Sequence, residues 1–482
     1  MTPEEIAQKL ENRPGFQLVD YAQVGLPVYR LWIDVVSLER REIPSVQEFI
    51  LRLLNSGVGD ASTLSGLLGI DGRVFGTCIT ALLSNMWIAE EADNNYILTK
   101  KGKDVLQEGA DISPQDETIA IDFDGITRQP VNLGREVLAK PSELRSAGKI
   151  EIRPYPALSP QLTDLDLRKV QKVLEARIGK TNDLKEVLLI NRIARKSRLF
   201  RHAVALLFKA GRSKAVELDF VINGAMSEEH SVEFARNDGP AKMGFQDSVS
   251  SSDIRQTLRA QIGQEARGLL AEDTEVSNVR IEVAASKMLL ESARQKLARA
   301  TRRRAKEQLE AKLVQAAERY ERAKKSLDEF PVRSVAVYEY PGLLSGALEN
   351  TERSLIISSP KILDTVVDGY FFRSINALLD KHIDIALYIN GSWLKNRERE
   401  NMVVSSIREL SKKNARISLR KTRKSPVNWL ICDDRYAVIT SFPWLSYRDS
   451  KRPLRRIQGL MVQEPTLVRA LTETFRAREL AV

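Results

Sequence analysis

Between Gly268 and Pro331 the chain contains neither glycine nor proline, and Ala, Glu, Lys, Arg and Leu dominate. Nothing in such a stretch breaks a helix. Val279, Val283, Ser286, Leu290, Ala293, Leu297 and Ala300 alternate at steps of four and three, and so do Leu309, Leu313, Ala316, Tyr320, Ala323, Leu327 and Phe330. Small or apolar residues at that spacing form a continuous seam on one helix face. The two seams are out of phase across Thr301–Glu307. This predicts an antiparallel coiled-coil hairpin over residues 251–330, each leg ~35–45 Å long at about 1.5 Å per residue. A stutter in one long helix is the alternative. Arg302, Arg303 and Arg304 would stand at the tip, where they would grip nucleic acid or a partner's acidic face, or form a solvated turn.

A chain of 482 residues has room for about two to four domains, and a hydrophobic fraction of 43% is enough for real cores. Cys78 and Cys432 form neither a metal spacing nor a disulfide framework, so a reducing cytoplasm is expected. The opening MTPEEIAQKLENR reads as an acidic amphipathic helix without the apolar core of a signal peptide. No apolar run is long enough to span a membrane, so no membrane association is expected. A net charge of +10 suits a polyanionic partner.

Residues 1–43 read as a helix, Pro3–Glu11, and then a hairpin or packing arm around Gly25-Leu26-Pro27. Residues 44–110 read as a winged helix-turn-helix. Ser45 would cap a first helix with Phe49, Leu53 and Leu54 inward. Asp60 and Asp71 would cap two more, the last with Val74, Cys78, Ala81 and Leu82 inward. Two short strands with a tip at Asp93-Asn94-Asn95 form the wing, and a last helix starts at Thr99. Arg73 is the candidate base or phosphate contact of the third helix, and Lys100 and Lys101 could hold phosphates beside the wing. Glu90, Glu91 and Asp93 would oppose them, so DNA contact and protein docking both stay open.

Residues 111–250 read as an antiparallel α+β domain. Within it, Asp122-x-Asp124-Gly125 resembles the first motif of haloacid-dehalogenase-type phosphatases, but Ile126 replaces the usual Thr; a hairpin turn with acids at its tip is expected instead. A helix capped by Thr163 or Asp164 would turn Leu167, Val170 and Val173 inward. Arg192, Arg195, Lys196, Arg198 and Arg201 cluster on the strands that follow. They either face phosphates or guard a strand edge. His230 reads as part of a surface helix start.

In residues 331–482 the run WLICDDRYAVITSFPWL, Trp429–Leu445, brings an apolar strand to two acids, a tight turn and a second strand. It resembles the active-site strand pair of the phospholipase D superfamily, in which His-x-Lys-x4-Asp leads into a strand ending Gly-Ser-x-Asn. The resemblance places the family's His on Pro426, its Lys on Asn428, its Asp on Asp433, its Gly-Ser on Thr440-Ser441 and its Asn on Pro443, with the later Glu near Ile457. Proline cannot be a nucleophile, and asparagine cannot clamp phosphate with a charge. Such a degenerate lobe is expected to keep the fold and lose the hydrolysis, with no catalytic residue, metal or cofactor. In that family single-lobe members complete their groove by dimerising, so a homodimer is expected. Arg420, Lys421, Arg423 and Lys424 before the motif, and Arg452, Arg455 and Arg456 after it, would line a basic groove with Trp393, Trp444 and Tyr447 nearby; Trp429 is assigned to the core.

The reading is thus a multidomain chain of α/β and α+β class: winged helix, antiparallel α+β middle domain, antiparallel coiled-coil hairpin and a single PLD-like α/β/α lobe. Its expected role is a non-catalytic nucleic-acid-associated subunit, on DNA rather than RNA, acting with a partner ATPase or nuclease. The domain combination resembles accessory components of bacterial phage-defence or DNA-processing modules. Two alternatives remain. One is a PLD-type nuclease or phosphodiesterase whose nucleophile is displaced to His202, His230 or His382. The other is a protein-docking scaffold.

Overall fold

The computed structural model describes residues 1–482 except 92–93, 135, 179–185, 212–214, 252, 301–302, 398–401, 424 and 481–482. The chain divides into two compact units. The first holds Met1–Pro27, Val137–Leu158 and Leu199–Val482, and the second holds Val28–Glu136 and Ser159–Arg198. The division does not fall after residues 43, 110, 250 or 330, the boundaries expected from sequence, because two long strands each carry the chain from one unit to the other.

Helix α1 (Pro3–Leu10) opens with a reciprocal cap. The Thr2 hydroxyl accepts from the Glu5 N–H at 3.2 Å and the Glu5 carboxylate accepts from the Thr2 N–H at 2.9 Å. Strand β1 (Phe16–Glu42) then runs unbroken for 27 residues, which corrects the hairpin expected at Gly25-Leu26-Pro27. Gly25 serves close packing rather than a turn: a Cβ there would lie 2.6 Å from a methyl of Leu144 and 2.9 Å from Cβ of Phe200.

In the second unit, α2 (Ser45–Asn55), α3 (Ala61–Leu68), α4 (Gly72–Ser84), the paired strands β2 (Ile88–Glu90) and β3 (Tyr96–Leu98), and α5 (Lys100–Glu108) enclose one core. Ile50, Leu51, Leu54, Leu64, Phe75, Ile79, Leu82 and Val105 fill it. Two inward faces are rotated from those expected. Phe49 and Val74 are exposed, and their neighbours Ile50 and Phe75 are buried. Adjacent apolar residues left the periodicity two solutions, and the packing selected one. Ser45 is the first helical residue and makes no cap, whereas Asp60, Asp71 and Thr99 do cap their helices.

Strand β4 (Ala110–Asp124) pairs antiparallel with β1 from Val28 to Glu42, and β5 (Gln129–Val131) returns along it as a hairpin. Both acids of the Asp-x-Asp-Gly run are used locally. Asp124 accepts the N–H groups of Ile126 (2.8 Å) and Thr127 (2.9 Å) to close the turn, and Asp122 takes a two-pronged contact from Arg30 at 2.8 and 3.1 Å.

Helix α6 (Pro141–Ser146) leads to β6 (Ile150–Glu151), which pairs parallel with Val24–Gly25 of β1. Helix α7 (Leu167–Ile178) starts later than expected: Asp166 accepts from the N–H of Arg168, while Asp164 sits in a short 3-10 turn and binds Arg128 at 2.5 Å. Val170 and Val173 point inward, and Leu167 is 36% exposed. Strand β7 (Glu186–Ala210) is followed by β8 (Val216–Ile222) and β9 (Ala225–Met226), joined through Asn223-Gly224, both at positive φ.

Three short helices, α8 (Glu228–Arg236), α9 (Gly239–Lys242) and α10 (Phe245–Ser251), precede α11 (Arg255–Gln261) and α12 (Gly263–Gly268). Helices α13 (Asp273–Arg299) and α14 (Arg303–Asp328) form the long pair. Val276 and Val283 from early α13 share a buried cluster with Ala323 and Leu327 from late α14, so the two run antiparallel. Ala300 has an extended backbone and ends α13, so the two seams belong to two helices. Arg302 lies outside the described residues, as do the side chains of Arg303 and Arg304.

The C-terminal part comprises β10 (Val332–Ser334), α15 (Glu339–Asn350), β11 (Ser354–Ser359), α16 (Gly369–Asp380), β12 (Asp384–Asn390), α17 (Gly391–Arg397), α18 (Met402–Lys413), β13 (Ile417–Thr422), β14 (Asn428–Cys432), β15 (Tyr436–Thr440), β16 (Gly459–Val462) and α19 (Pro465–Leu480). Its seven-stranded sheet has the order β10-β16-β15-β14-β11-β12-β13, with β11, β12 and β13 parallel and the other pairs antiparallel. Both faces are buried, which explains the continuous apolar runs. Leu355, Ile357, Leu430 and Val438 pack on the side of α15 and α16, and Ile356, Trp429, Ile431 and Ile439 pack with Val468 and Phe475 of α19. Leu258, Ile262 and Ala266 complete this second layer. The lobe therefore needs α11 and α12, which lie outside residues 331–482.

Candidate functional site

The β14–β15 hairpin separates what the motif joined in sequence. Asn428 pairs with Thr440 at one end and Cys432 with Tyr436 at the other. Asp433 follows Cys432 at that far end, five residues from Asn428, or ~16 Å at about 3.3 Å per residue. It occupies the left-handed region, φ 53°. Its carboxylate accepts the backbone N–H groups of Arg353 (2.7 Å), Ser354 (2.9 Å) and Glu352 (3.0 Å), and Nε of Arg435 (3.2 Å). Burial pushes this carboxyl up, but the N–H groups of Ser354, Glu352 and Arg353 with the Arg435 guanidinium outweigh it and hold the pKa below the usual carboxylate value. Asp433 is thus a clasp on the start of β11.

The other end of the hairpin is the position where the resemblance would place phosphate. Antiparallel pairing of Ile357 with Leu430 brings the end of β11 to the start of β14. Pro426 is exposed at this end. Asn428 is buried and donates to the Phe442 carbonyl at 3.1 Å. The Thr440 hydroxyl donates to the Gln458 carbonyl at 2.7 Å, and the Ser441 hydroxyl accepts the Gln458 N–H at 3.1 Å. Pro443 is buried. Each polar side chain of the degenerate motif is therefore committed to the chain's own atoms. Gln458, next to Ile457, holds both hydroxyls through its backbone and accepts the Ile254 N–H on its side chain at 2.9 Å. The backbone packs closely here: a Cβ on Gly459 would lie 2.5 Å from the Tyr340 hydroxyl and 2.8 Å from Thr440.

The segment 452–458 fastens this end to distant parts of the first unit. Arg452 grips Asp20 at 2.6 and 3.2 Å, and the Arg455 N–H reaches the same carboxylate at 3.1 Å. Arg455 also donates to the Ser441 carbonyl at 2.9 Å. Arg456 is buried and pairs with Asp253 at 2.9 Å and Gln17 at 3.3 Å. The Ile254 N–H donates to the Gln458 side chain at 2.9 Å. Arg452, Arg455 and Arg456 were expected to face nucleic acid. They face inward instead: Asp20 and Asp253, more than 200 residues earlier in the chain, compensate Arg452 and Arg456, and the Arg455 guanidinium is satisfied by the Ser441 carbonyl.

The three histidines stand elsewhere. His202 Nδ1 lies 3.2 Å from Lys149 Nζ, and burial together with that charge lowers its pKa. His230 is buried against the Ser227 hydroxyl at 2.7 Å, and His382 occupies a positive-φ turn after α16. Among the described residues, no histidine is a hydrogen-bond partner of Asp433 or Ser441, and no three His, Cys, Asp or Glu side chains are placed to hold a metal ion. No single described helix is long and apolar enough to cross a membrane.

Other expected contacts do lie on the surface. Arg420, Lys421 and Arg423 are exposed on or just beyond the edge strand β13, with the Arg420 guanidinium 5.8 Å from the Tyr388 ring centroid. Lys424 lies outside the described residues. In the second unit Arg73, Lys100 and Lys101 are exposed, Lys101 touching the Asn85 carbonyl at 3.1 Å. The hydroxyls of Thr77 and Thr80 donate to the carbonyls of Arg73 and Gly76 within α4, so their protons are already engaged. Arg192 pairs with Asp34, and Arg195 covers the Trp32 ring at 4.7 Å. The aromatics expected in the groove are core: Trp444 is buried edge-on against Tyr340 and Phe442, and Trp393 packs partly buried on the same cluster.

No family model and no curated protein match this chain. Among solved structures, it is similar to Nuc, a phospholipase D family member from Salmonella typhimurium, at 15% identity over 30% of this chain and 92% of that one, with a TM-score of 0.23. It is also similar to TrmBL2, an archaeal chromatin protein, at 18% identity over 36% of this chain and 63% of that one, TM-score 0.23. A third match is phosphatidylserine synthase of Haemophilus influenzae Rd KW20, at 13% identity over 34% and 45% of the two chains, TM-score 0.23. At these values the matches establish neither a family nor an activity.

Proposed function

We propose that this protein is a nucleic-acid-associated subunit that does not itself hydrolyse phosphodiesters. The observation that carries the reading is the internal commitment of Asn428, Thr440 and Ser441, with Pro426 and Pro443 at the positions of the nucleophile and the asparagine. Among the described residues a phosphate would find no imidazole there, and the Arg455 guanidinium is already donated to the Ser441 carbonyl. The exposed cations of the β13 edge, Arg420, Lys421 and Arg423, supply a sequence-independent backbone contact, to DNA rather than RNA. In this reading residues 44–110 are a winged helix-turn-helix and α13–α14 a coiled-coil hairpin. The protein acts in the cytoplasm as a homodimer beside a separate ATPase or nuclease, in a bacterial phage-defence or DNA-processing setting.

The deciding experiment is binding of random-sequence duplex DNA, single-stranded DNA and RNA across a salt series, with cleavage scored in the same tubes with and without Mg²⁺. Steeply salt-dependent binding without cleavage is expected. Cleavage abolished by replacing His202, His230 or His382 would overturn the reading in favour of a displaced-nucleophile nuclease.

One observation favours a second reading for the helical module alone. Phe49, Leu67, Val74 and Met86 are 58%, 62%, 49% and 66% exposed there. Large apolar side chains in water suit protein docking more than base readout. Salt-insensitive capture of a protein partner by the module, with no nucleic-acid binding, is the outcome that reading expects.

A further inference from the structure

The first unit contains a cavity of about 460 Å³ on the β10–β16 flank of the degenerate site, inside the roughly 300–1,000 Å³ range of small-molecule sites. Ser334–Val337 and Ile457–Leu460 line one side, and α11, α12 and the start of α13 line the other. Neither Asn428 nor Ser441 lines it; it lies on the far side of Gln458 and Gly459, which do.

Five arginines reach this cavity. Three are already balanced. Arg280 lies 2.9 Å from Glu339, and Arg255 and Arg456 both pair with Asp253. Arg259 and Arg267 have no acidic partner among the described residues; Arg267 donates to the Gly263 carbonyl at 2.9 Å. The lining acids are mostly engaged. Glu11 accepts from the Tyr338 hydroxyl at 2.6 Å, and Asp273 faces Arg255 and Arg456. Glu272 remains. Among the described residues Arg259 and Arg267, both at the solvent-facing side, are thus the lining guanidiniums open to a ligand, with Glu272 the one lining carboxylate not engaged, beside an apolar wall of Leu258, Leu270 and Leu460.

We propose that this cavity binds a small phosphate ester, its phosphate shared between Arg259 and Arg267 and its organic body against Leu258, Leu270 and Leu460. Each guanidinium presents a planar fork of donors, and a phosphate has enough free oxygens to serve two forks where one carboxylate does not. With Glu272 counted against Arg259 and Arg267, the lining keeps one net positive charge, which favours an anion over a neutral ligand.

Calorimetry and thermal unfolding of the full chain test this, with AMP and glucose 6-phosphate as probes and inorganic phosphate and citrate as controls. At least one ester should bind saturably and raise the unfolding temperature. Arg259→Glu with Arg267→Glu, both exposed positions, should weaken it by about tenfold or more, and Arg259→Lys with Arg267→Lys should retain part of the binding. No binding of either ester, or binding indifferent to the Glu pair, overturns the site. Equal affinity for inorganic phosphate, or tighter binding of citrate, overturns the ester assignment. Charge reversal of Arg420 and Arg423 should leave ester binding unchanged, which separates this site from the nucleic-acid reading.

Discussion

Asp20 and Arg452 are joined by two hydrogen bonds, 2.6 and 3.2 Å, across 432 positions of sequence. The carboxylate is 3% exposed and also receives the Arg455 N–H. This pair anchors the loop that carries Gln458 and Gly459, and so fixes the end of the C-terminal sheet where the degenerate motif lies.

Breaking that pair from one side should be costly. Asp20→Asn or Arg452→Met strands a largely buried charge, and a loss of about 3–5 kcal/mol in denaturant unfolding is expected. The double change Asp20→Leu with Arg452→Met should recover much of it. Equal losses in the single and double variants would show that the pair does not act as a unit.

Asp433 should behave as a structural acid. Asp433→Ala leaves three backbone N–H groups without their acceptor, and a loss of about 3 kcal/mol is expected. Its folded pKa lies below its ordinary value. Its contribution is therefore fully present above the unfolded value of about 3.9 and is lost as pH falls through the lower folded value. Acid unfolding followed by circular dichroism should show a shallower low-pH limb in Asp433→Ala than in the parent.

Surface and interior arginines should separate cleanly. Arg420→Glu and Arg423→Glu should leave unfolding nearly unchanged, weaken nucleic-acid binding and reduce the salt slope by about one per lost contact. Arg456→Glu, at a buried position against Asp253, should instead lower stability before it affects binding. A salt slope that does not move in Arg420→Glu removes β13 from the interface.

Gly25 and Gly459 should each resist a side chain. Gly25→Val meets Leu144 and Phe200, and Gly459→Ala meets Tyr340 and Thr440. Each should cost about 1–3 kcal/mol by overpacking. A stable Gly25→Val would mean that β1 can bend where the sequence suggested a turn.

Much that is local could be read from the chain. The caps at Asp60, Asp71 and Thr99, the two seams of α13 and α14, and the apolar strands flanking Asp433 depend on neighbours a few residues away, and their spacing carries the information. What the chain alone left ambiguous was decided by packing. Phe49 against Ile50 and Val74 against Phe75 are equally apolar, so only the shape of the core chooses between them. The long strand β1 reads as a hairpin because glycine and proline are turn residues in isolation; the approach of Leu144 and Phe200 shows why Gly25 is needed in a straight strand.

The site divides the same way. That Pro426 and Asn428 stand where the resemblance would put a histidine and a lysine is a matter of residue identity, which sequence determines outright. The fate of the arginines is not. Arg420 and Arg452 look alike in sequence, yet one lies at an edge strand and the other grips Asp20. Burial of a charge depends on where the opposite charge arrives, and partners hundreds of residues away leave no local pattern. Residue chemistry and periodicity were therefore determined by the sequence itself, while the exposure of each cation, the clasp role of Asp433 and the cavity that Arg259 and Arg267 line were decided by tertiary structure, because long-range pairing alone sets which polar groups remain free.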